Sequence, residues 1–206
     1  MARIRAVPVR LIALALFMLP VAASAAGNAL TVYGGYRDGG SFTEENSDEC
    51  VEIKGAGAVS LALDFPYDNS RQYQIFLSHQ RTELSLDGTP IAGGPELDMN
   101  ITYLHVGGTY FFTGPVGKGP YVVGGLGATF FDPSAGYDSE LRGSGNLGFG
   151  YQLPIGETLA LRFEARGYAT LVNSSGGFFC SGGCVVSISG DTITQGELML
   201  GVSGRF

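Results

Sequence analysis

Residues 192–206 read Thr-Ile-Thr-Gln-Gly-Glu-Leu-Met-Leu-Gly-Val-Ser-Gly-Arg-Phe, and their character alternates with a period of two. Counted back from the carboxy-terminus, one face is apolar and consists of Gly204, Val202, Leu200, Leu198 and Gly196. The opposite face holds the polar and charged residues of the stretch, with Arg205, Ser203, Gly201, Met199, Glu197 and Gln195. Such alternation indicates a β-strand whose two faces meet different environments. The stretch also reaches the roughly 9–11 residues that a strand needs to span a membrane.

The first 25 residues are expected to be a signal peptide that takes no part in the fold. Arg3, Arg5 and Arg10 form a basic segment before the apolar run 11–19, and small residues at 23–25 suit cleavage. The domain is then expected to span residues 26–206, with nine basic and 19 acidic residues and a net charge of about −10. An exported chain this acidic is a poor candidate for binding nucleic acid, which requires a basic surface.

Seven further segments alternate in the same way, which predicts eight strands in all. The eight predicted strands, including the closing one, span about residues 30–37, 51–65, 71–81, 99–112, 120–131, 141–153, 159–171 and 192–206. The faces of the fourth strand are less clearly separated, and those of the fifth stay open because both are apolar or glycine. The connections between strands are alternately long and short, as in outer-membrane barrels with long extracellular loops and short periplasmic turns.

Taken together, the signal peptide, the eight alternating segments, the unequal connections and the terminal Phe206 carry a family resemblance. The chain resembles the small outer-membrane β-barrel superfamily of Gram-negative bacteria, the class of outer-membrane protein A and its X- and W-type relatives. The resemblance implies an all-β, eight-stranded antiparallel up-and-down transmembrane β-barrel in the cell outer membrane. It also implies that the barrel-assembly machinery reads Phe206, and that a monomer contacts outer-membrane lipid and lipopolysaccharide. No particular activity follows from it.

The charged residues on the polar faces are expected to collect inside such a barrel. They are Glu52, Lys54, Asp64, Arg142, Arg162, Glu164, Arg166, Glu197 and Arg205, with Arg37 as a further candidate. An eight-stranded barrel is only wide enough for side chains to fill its centre, and an unpaired buried charge is strongly destabilising. We therefore predict a plug of salt bridges and a structural or surface-interaction role. The alternatives are a narrow channel for small solutes gated by the same pairs and, less favoured, a lipid-modifying enzyme.

Catalytic and metal chemistry find little support in the sequence. The chain has two histidines, His79 and His105, and neither begins the His-x-Ser-Asn pattern of the lipid A deacylases. Ser78 is adjacent to His79, but neighbouring residues of a strand point to opposite faces. Both histidines are expected to line the lumen or the membrane interface, and no enzyme activity, cofactor or metal site is predicted.

The three cysteines suit an oxidising compartment. Cys180 and Cys184 are separated by Ser181, Gly182 and Gly183, so a small disulfide loop between them is expected in an exported protein. Cys50 is the odd one. Its pairing with either of the other two stays open, because sequence does not determine disulfide connectivity.

Overall fold

The computed structural model describes residues 27–39, 41–43, 50–86, 97–133, 139–171 and 192–206. These residues form ten strands: β1 (Ala29–Asp38), β2 (Ser41–Thr43), β3 (Cys50–Ile53), β4 (Ala56–Pro66), β5 (Arg71–Leu86), β6 (Leu97–Phe111), β7 (Gly119–Pro133), β8 (Glu140–Pro154), β9 (Leu159–Leu171) and β10 (Thr192–Arg205). In the described ranges, no helix has the length and apolar character needed to cross a membrane.

Eight of these strands close into a barrel. Each pairs antiparallel with the strands beside it in the order β5-β4-β1-β10-β9-β8-β7-β6, and the pairing of β5 with β6 joins the two edges. The pairing of β1 with β10 brings the two ends of the barrel domain together over ten residue pairs, from Ala29–Arg205 to Asp38–Gly196. The predicted eight-stranded antiparallel up-and-down barrel is confirmed.

The predicted second strand is in fact two strands. β3 and β4 are separated by Lys54 and Gly55, and β3 pairs with the far end of β5 and with the short strand β2. The interruption changes which face each residue takes, because Ile53 is buried while Lys54 is exposed. β5 and β6 are also longer than predicted, since they stay paired as far as Leu84 and Leu97.

The outer wall of the barrel is apolar. Its most exposed side chains are Leu126, Leu141, Leu147, Phe149 and Leu198, each with about 70% of its surface accessible (68–71%). Folding in water would bury such residues, whereas lipid accommodates them. The exposed aliphatic and aromatic residues therefore form the surface that faces the membrane.

The structure also shows which residues of β6 and β7 face inward. These are the two strands whose faces the sequence separates least clearly. In β6, Tyr103 and His105 point inward while Leu104 and Val106 point outward, as the sequence predicts. In β7, Tyr121 and Val123 are buried, whereas Leu126 and Phe130 are exposed. The aromatic and aliphatic residues of β7 are thus divided between the lumen and the lipid.

The two ends of the barrel differ. Residues 67–70, 112–118 and 155–158 connect strands at one end, called here the turn end, and the longer connections lie at the other, the loop end. Phe206 lies at the turn end, where its N–H donates to the carbonyl of Asn28 at 2.9 Å.

Asp68 orders the turn between β4 and β5. Its Oδ1 accepts from the backbone N–H groups of Ser70 and Arg71, both at 2.8 Å. The bond from the Ser70 N–H, followed by the one from the Arg71 side chain to Oδ2 at 2.7 Å, contributes most to lowering the pKa of the Asp68 carboxyl from 3.8 to about 2. The carbonyl of the next residue, Asn69, accepts from the N–H of Val116 at 2.8 Å, so this turn holds the neighbouring turn in place.

Glycines on the inner faces make room for tyrosine rings. A Cβ at Gly201 would lie 2.5 Å from the ring of Tyr33, and a Cβ at Gly150 would lie 2.5 Å from the ring of Tyr121. By contrast, a Cβ at Gly196, on the outer face of the same strand as Gly201, would have no other atom within 4 Å.

This difference predicts that β10 tolerates alanine at Gly196 but not at Gly201. Gly201→Ala is expected to lower the free energy of unfolding by about 1–3 kcal/mol, because overpacking displaces the Tyr33 ring. Gly196→Ala is the matched control and should change it by less than about 0.5 kcal/mol. Urea unfolding in lipid vesicles, followed by circular dichroism because the chain has no tryptophan, measures both. Equal stabilities would contradict the interior packing described here.

Candidate functional site in the barrel interior

Three arginines and three carboxylates meet inside the barrel. They are Arg37 on β1, Asp64 on β4, Arg162, Glu164 and Arg166 on β9, and Glu197 on β10. The three on β9 are spaced by two residues, so strand alternation alone turns them all inward. Each of the six side chains is at most 4% exposed, and their formal charges sum to zero. They are called the interior network below.

Four members of the interior network form a chain nearer the turn end. Arg162 Nη1 lies 2.6 Å from Asp64 Oδ2, and Arg166 Nη2 lies 2.5 Å from Glu164 Oε1. A longer contact of 3.9 Å between Arg162 Nη2 and Glu164 Oε2 joins the two pairs. Gln74 supports both ends, because its Nε2 donates to Asp64 Oδ1 at 2.8 Å and its Oε1 accepts from Arg166 at 3.0 Å.

The remaining two members pair nearer the loop end. Arg37 donates to Glu197 Oε2 through Nη2 at 2.7 Å and through Nε at 3.1 Å, and it also donates to Ser78 Oγ. Its guanidinium lies 4.8 Å from the ring centroid of Tyr103 and 4.7 Å from that of Tyr168. Contact with aromatic faces stabilises a cation that water does not reach.

Tyrosine hydroxyls complete the coordination of the buried carboxylates. Tyr121 and Tyr33 donate to Glu164 Oε2 at 2.7 and 3.2 Å, and Tyr168 donates to Glu197 Oε2 at 2.6 Å. Hydrogen bonds to ionised groups are stronger than those between neutral groups. The sequence offered no signal for Tyr121, because both faces of its strand read as apolar.

At the turn end, the connection between β6 and β7 reaches into the lumen. Val116 packs there against the buried residues Phe111, Tyr121 and Val123, and Gly117 is buried beside it. The cavity at this mouth has a volume of only about 20 Å³, which is room for a single water molecule. Nothing in the alternation of the sequence indicates that a turn residue would reach into the barrel.

Three predicted members of the plug lie outside the interior network. Lys54 is placed on the exposed side by the break between β3 and β4, and it pairs at 3.0 Å with Glu83, both side chains being about 40% exposed (42% and 39%). Arg142 lies near the start of β8 at the loop end, is 30% exposed and pairs with Glu140. Arg205 ends β10 and is exposed at the turn end. The predicted inward position of Lys54 is corrected, because the strand interruption reverses the faces.

Other predictions fall outside the part of the chain that the structure describes. These are the signal peptide, the pairing of Cys180 with Cys184, the partner of Cys50, and the side-chain position of Glu52. The predicted assembly signal, Phe206, is among the described residues, and its side chain is 40% exposed.

A serine, a histidine and an asparagine also meet in the lumen. His105 Nε2 lies 2.8 Å from Ser144 Oγ, and His105 Nδ1 lies 2.7 Å from Asn146 Nδ2. Asn146 Oδ1 accepts from Arg166 Nη1 at 3.4 Å, and because a guanidinium only donates, this contact sets the orientation of the amide. The amide nitrogen therefore donates to Nδ1, and the proton of the neutral ring lies on Nε2.

This hydrogen-bond order does not activate the serine. A catalytic histidine takes the proton of the nucleophile, whereas here His105 Nε2–H donates to Ser144 Oγ. Among the described residues, no group of three or more His, Cys, Asp or Glu side chains is placed to hold a metal ion. The sequence pointed to His105 as lumen-lining, but not to its partners, because they lie about 40 residues away in the chain (39 and 41).

The buried pairs are expected to stabilise the barrel far more than the exposed ones. Asp64→Asn leaves Arg162 without its closest carboxylate and should lower the free energy of unfolding by about 3–5 kcal/mol. Asp98→Asn is the control, because the Arg81–Asp98 pair has side chains that are 71% and 38% exposed, and it should cost less than about 1 kcal/mol. Urea unfolding in lipid vesicles tests both variants. A similar loss in the two would contradict the electrostatic role of the interior network.

No protein-family model matches the chain, and no curated protein sequence matches it. Among solved structures, the chain is similar to Neisserial surface protein A, with 12% identity, 87% of this chain and 97% of that chain covered, and a TM-score of 0.53. It is similar to OprG of Pseudomonas aeruginosa, with 11% identity, 88% and 97% covered, and a TM-score of 0.50.

A third similar structure is the attachment invasion locus protein Ail of Yersinia pestis, solved in complex with the heparin analogue sucrose octasulfate. It has 15% identity, 88% of this chain and 99% of that chain covered, and a TM-score of 0.50. At these identities the likeness concerns the fold. Together with the apolar outer wall and the charged interior, it shows that the chain has the fold of the small eight-stranded β-barrels of the outer membrane.

Proposed function

We propose that the chain is a monomeric integral outer-membrane protein with a structural or surface-interaction role, and that its interior network keeps the barrel closed. The observation that carries this proposal is the complete burial of three arginines against three carboxylates. A pathway for polar solutes would require these groups to be hydrated, whereas each is at most 4% exposed. The expected partners are outer-membrane lipid and lipopolysaccharide on the wall, and the barrel-assembly machinery at Phe206.

Two layers, which share Tyr121, support closure. The interior network occupies the middle of the lumen, and the apolar contact of Val116 with Phe111, Tyr121 and Val123 closes the turn end below it. A solute would have to displace both layers, and they depend on different interactions. Breaking the ion pairs alone would therefore leave the apolar layer in place.

A closed barrel offers no pathway for solutes, so its function is expected to depend on its surfaces. The outer wall is apolar and lipid-facing, and no catalytic arrangement in the described residues is activated for reaction. The comparison protein Ail was solved with a heparin analogue, but this chain has an excess of seven acidic charges. A soluble polyanion of this kind is therefore a poor candidate ligand for this chain, whereas lipopolysaccharide is expected to contact its apolar wall.

A narrow channel is the second candidate, and one observation favours it. Arg37 Nη1, Gln80 Oε1 and Glu197 Oε1 are buried without a hydrogen-bond partner among the described residues. Buried polar atoms of this kind are commonly satisfied by ordered water. A hydrated region beside Arg37 would be the starting point of a conducting path.

Planar-bilayer recording of the refolded chain of residues 26–206 distinguishes the two candidates. We expect gel migration that changes on heating, which indicates a folded barrel, and no discrete conductance steps. Arg162→Gln and Arg166→Gln should lower the unfolding temperature without producing steps, because the Val116 layer stays closed. Arg81→Gln, at the exposed rim, is the matched control and should change neither quantity.

Discrete steps in the wild-type protein would overturn the closed barrel. If Arg162→Gln then altered ion selectivity, the interior network would be the selectivity site of a channel. Migration that never changes with heating would contradict a folded membrane barrel altogether.

A further inference from the structure

The two histidines of the chain occupy opposite sides of the barrel wall. His105 on β6 points into the lumen and is 1% exposed. His79 on β5 lies on the outer face, where its Nδ1 is 2.9 Å from Thr102 Oγ1. Histidine changes charge near neutral pH, so one of these residues can alter the charge of the lumen and the other cannot.

Both ring nitrogens of His105 are engaged by neutral groups. Nδ1 accepts from Asn146 and Nε2–H donates to Ser144, at the distances given above. A second proton on the ring would have to sit on Nδ1, where it would face the N–H of the Asn146 amide. Two donors cannot form a hydrogen bond, so the contact holds only while the ring is neutral.

The charges that face His105 are positive. Arg166 on β9 donates to the Asn146 amide that contacts the ring, and Arg37 on β1 lies over the Tyr103 and Tyr168 rings that flank it. The carboxylate partners of these arginines are Glu164 and Glu197. The hydrogen bonds of the ring, among the described residues, go to Ser144 and Asn146 and not to a carboxylate.

Among the described residues, the other side chains that pack against the ring are the aromatic rings of two tyrosines. The rings of Tyr103 and Tyr168 lie 5.5 and 6.1 Å from it, centroid to centroid. From β7, Gly127 approaches so closely that a Cβ there would lie 2.9 Å from His105 Cδ2. Only a residue without a Cβ therefore fits beside the ring at position 127.

We propose that His105 is a proton-sensitive switch of the interior network. Protonation at Nδ1 forces the Asn146 amide to turn over, so that its oxygen accepts from the ring and its nitrogen faces Arg166. The Asn146–Arg166 hydrogen bond is lost, and a network whose charges summed to zero acquires one positive charge beside two arginines. Acid conditions thereby loosen the barrel interior. This inference rests on the proposed closed barrel and adds its regulation.

The direction of the pH effect on stability follows from the difference in proton binding between the folded and the unfolded chain. The folded interior accepts the neutral ring, whereas the unfolded chain binds a proton with an ordinary pKa near 6.5. The stability contributed by His105 is thus present above about pH 6.5 and is lost as the pH falls. Aspartate and glutamate side chains titrate mainly below about pH 5, so the range from about pH 7.5 to 5.5 reports chiefly on histidine.

The test is the midpoint temperature of heat-modifiable gel migration at about pH 7.5 and 5.5. Wild type and the control His79→Gln are expected to lose at least about 3 °C at the lower pH, whereas His105→Gln should lose less than about 1 °C. An unchanged pH dependence in His105→Gln overturns the proposal, as does its disappearance in His79→Gln.

Nitrogen-15 NMR of labelled histidine in the wild-type barrel provides a second test that needs no interior variant. His105 should be neutral and protonated on Nε2 at about pH 7.5, and a ring that is protonated on Nδ1 at that pH overturns the switch. Conductance recorded at both pH values separates the two proposals. Steps already present at pH 7.5 contradict the closed barrel, whereas a silent barrel with pH-independent stability contradicts only the switch.

Discussion

The structure depends on one electrostatic constraint: charges taken out of water must be neutralised where they lie. An eight-stranded barrel leaves no room for bulk water at its centre, so each charged residue on an inner face needs a partner within reach. Arg162 finds Asp64, Arg166 finds Glu164, and Arg37 finds Glu197. The members come from four strands. The Arg162–Asp64 pair links β9 to β4 across the interior, whereas Arg37 and Glu197 lie opposite each other on neighbouring strands and Arg166 and Glu164 lie on one strand.

Packing around the interior network follows from the size of its members. Tyrosine rings enter the lumen where the paired residue of the neighbouring strand is glycine: Gly201 is paired with Tyr33, and Gly150 with Tyr121. The many glycines of this chain therefore serve two surfaces. Inner ones such as Gly201 and Gly150 accommodate tyrosine rings, whereas outer ones such as Gly196 leave open space in the wall.

Local periodicity predicted most of the fold, because the face of a strand residue depends on its own neighbours alone. Arg162, Glu164 and Arg166 could be placed inside the barrel from their spacing, and Leu198 and Leu200 could be placed outside. The same rule failed at Lys54. The interruption after Ile53 is invisible in an alternating run, and Gly55 fits either a continuous strand or a break.

The sequence by itself determined the barrel class, the number of barrel strands, and which charged residues of β9 and β10 face inward, since these follow from a period of two. Only the tertiary structure decided which charges meet, because Arg162 and Asp64 lie 98 residues apart and their contact depends on the register of strands across the barrel. It also decided that Val116 packs against Phe111, Tyr121 and Val123 at the turn end and that His105 lies between Ser144 and Asn146. Such contacts join residues from separate elements, and no local pattern encodes the distance between them.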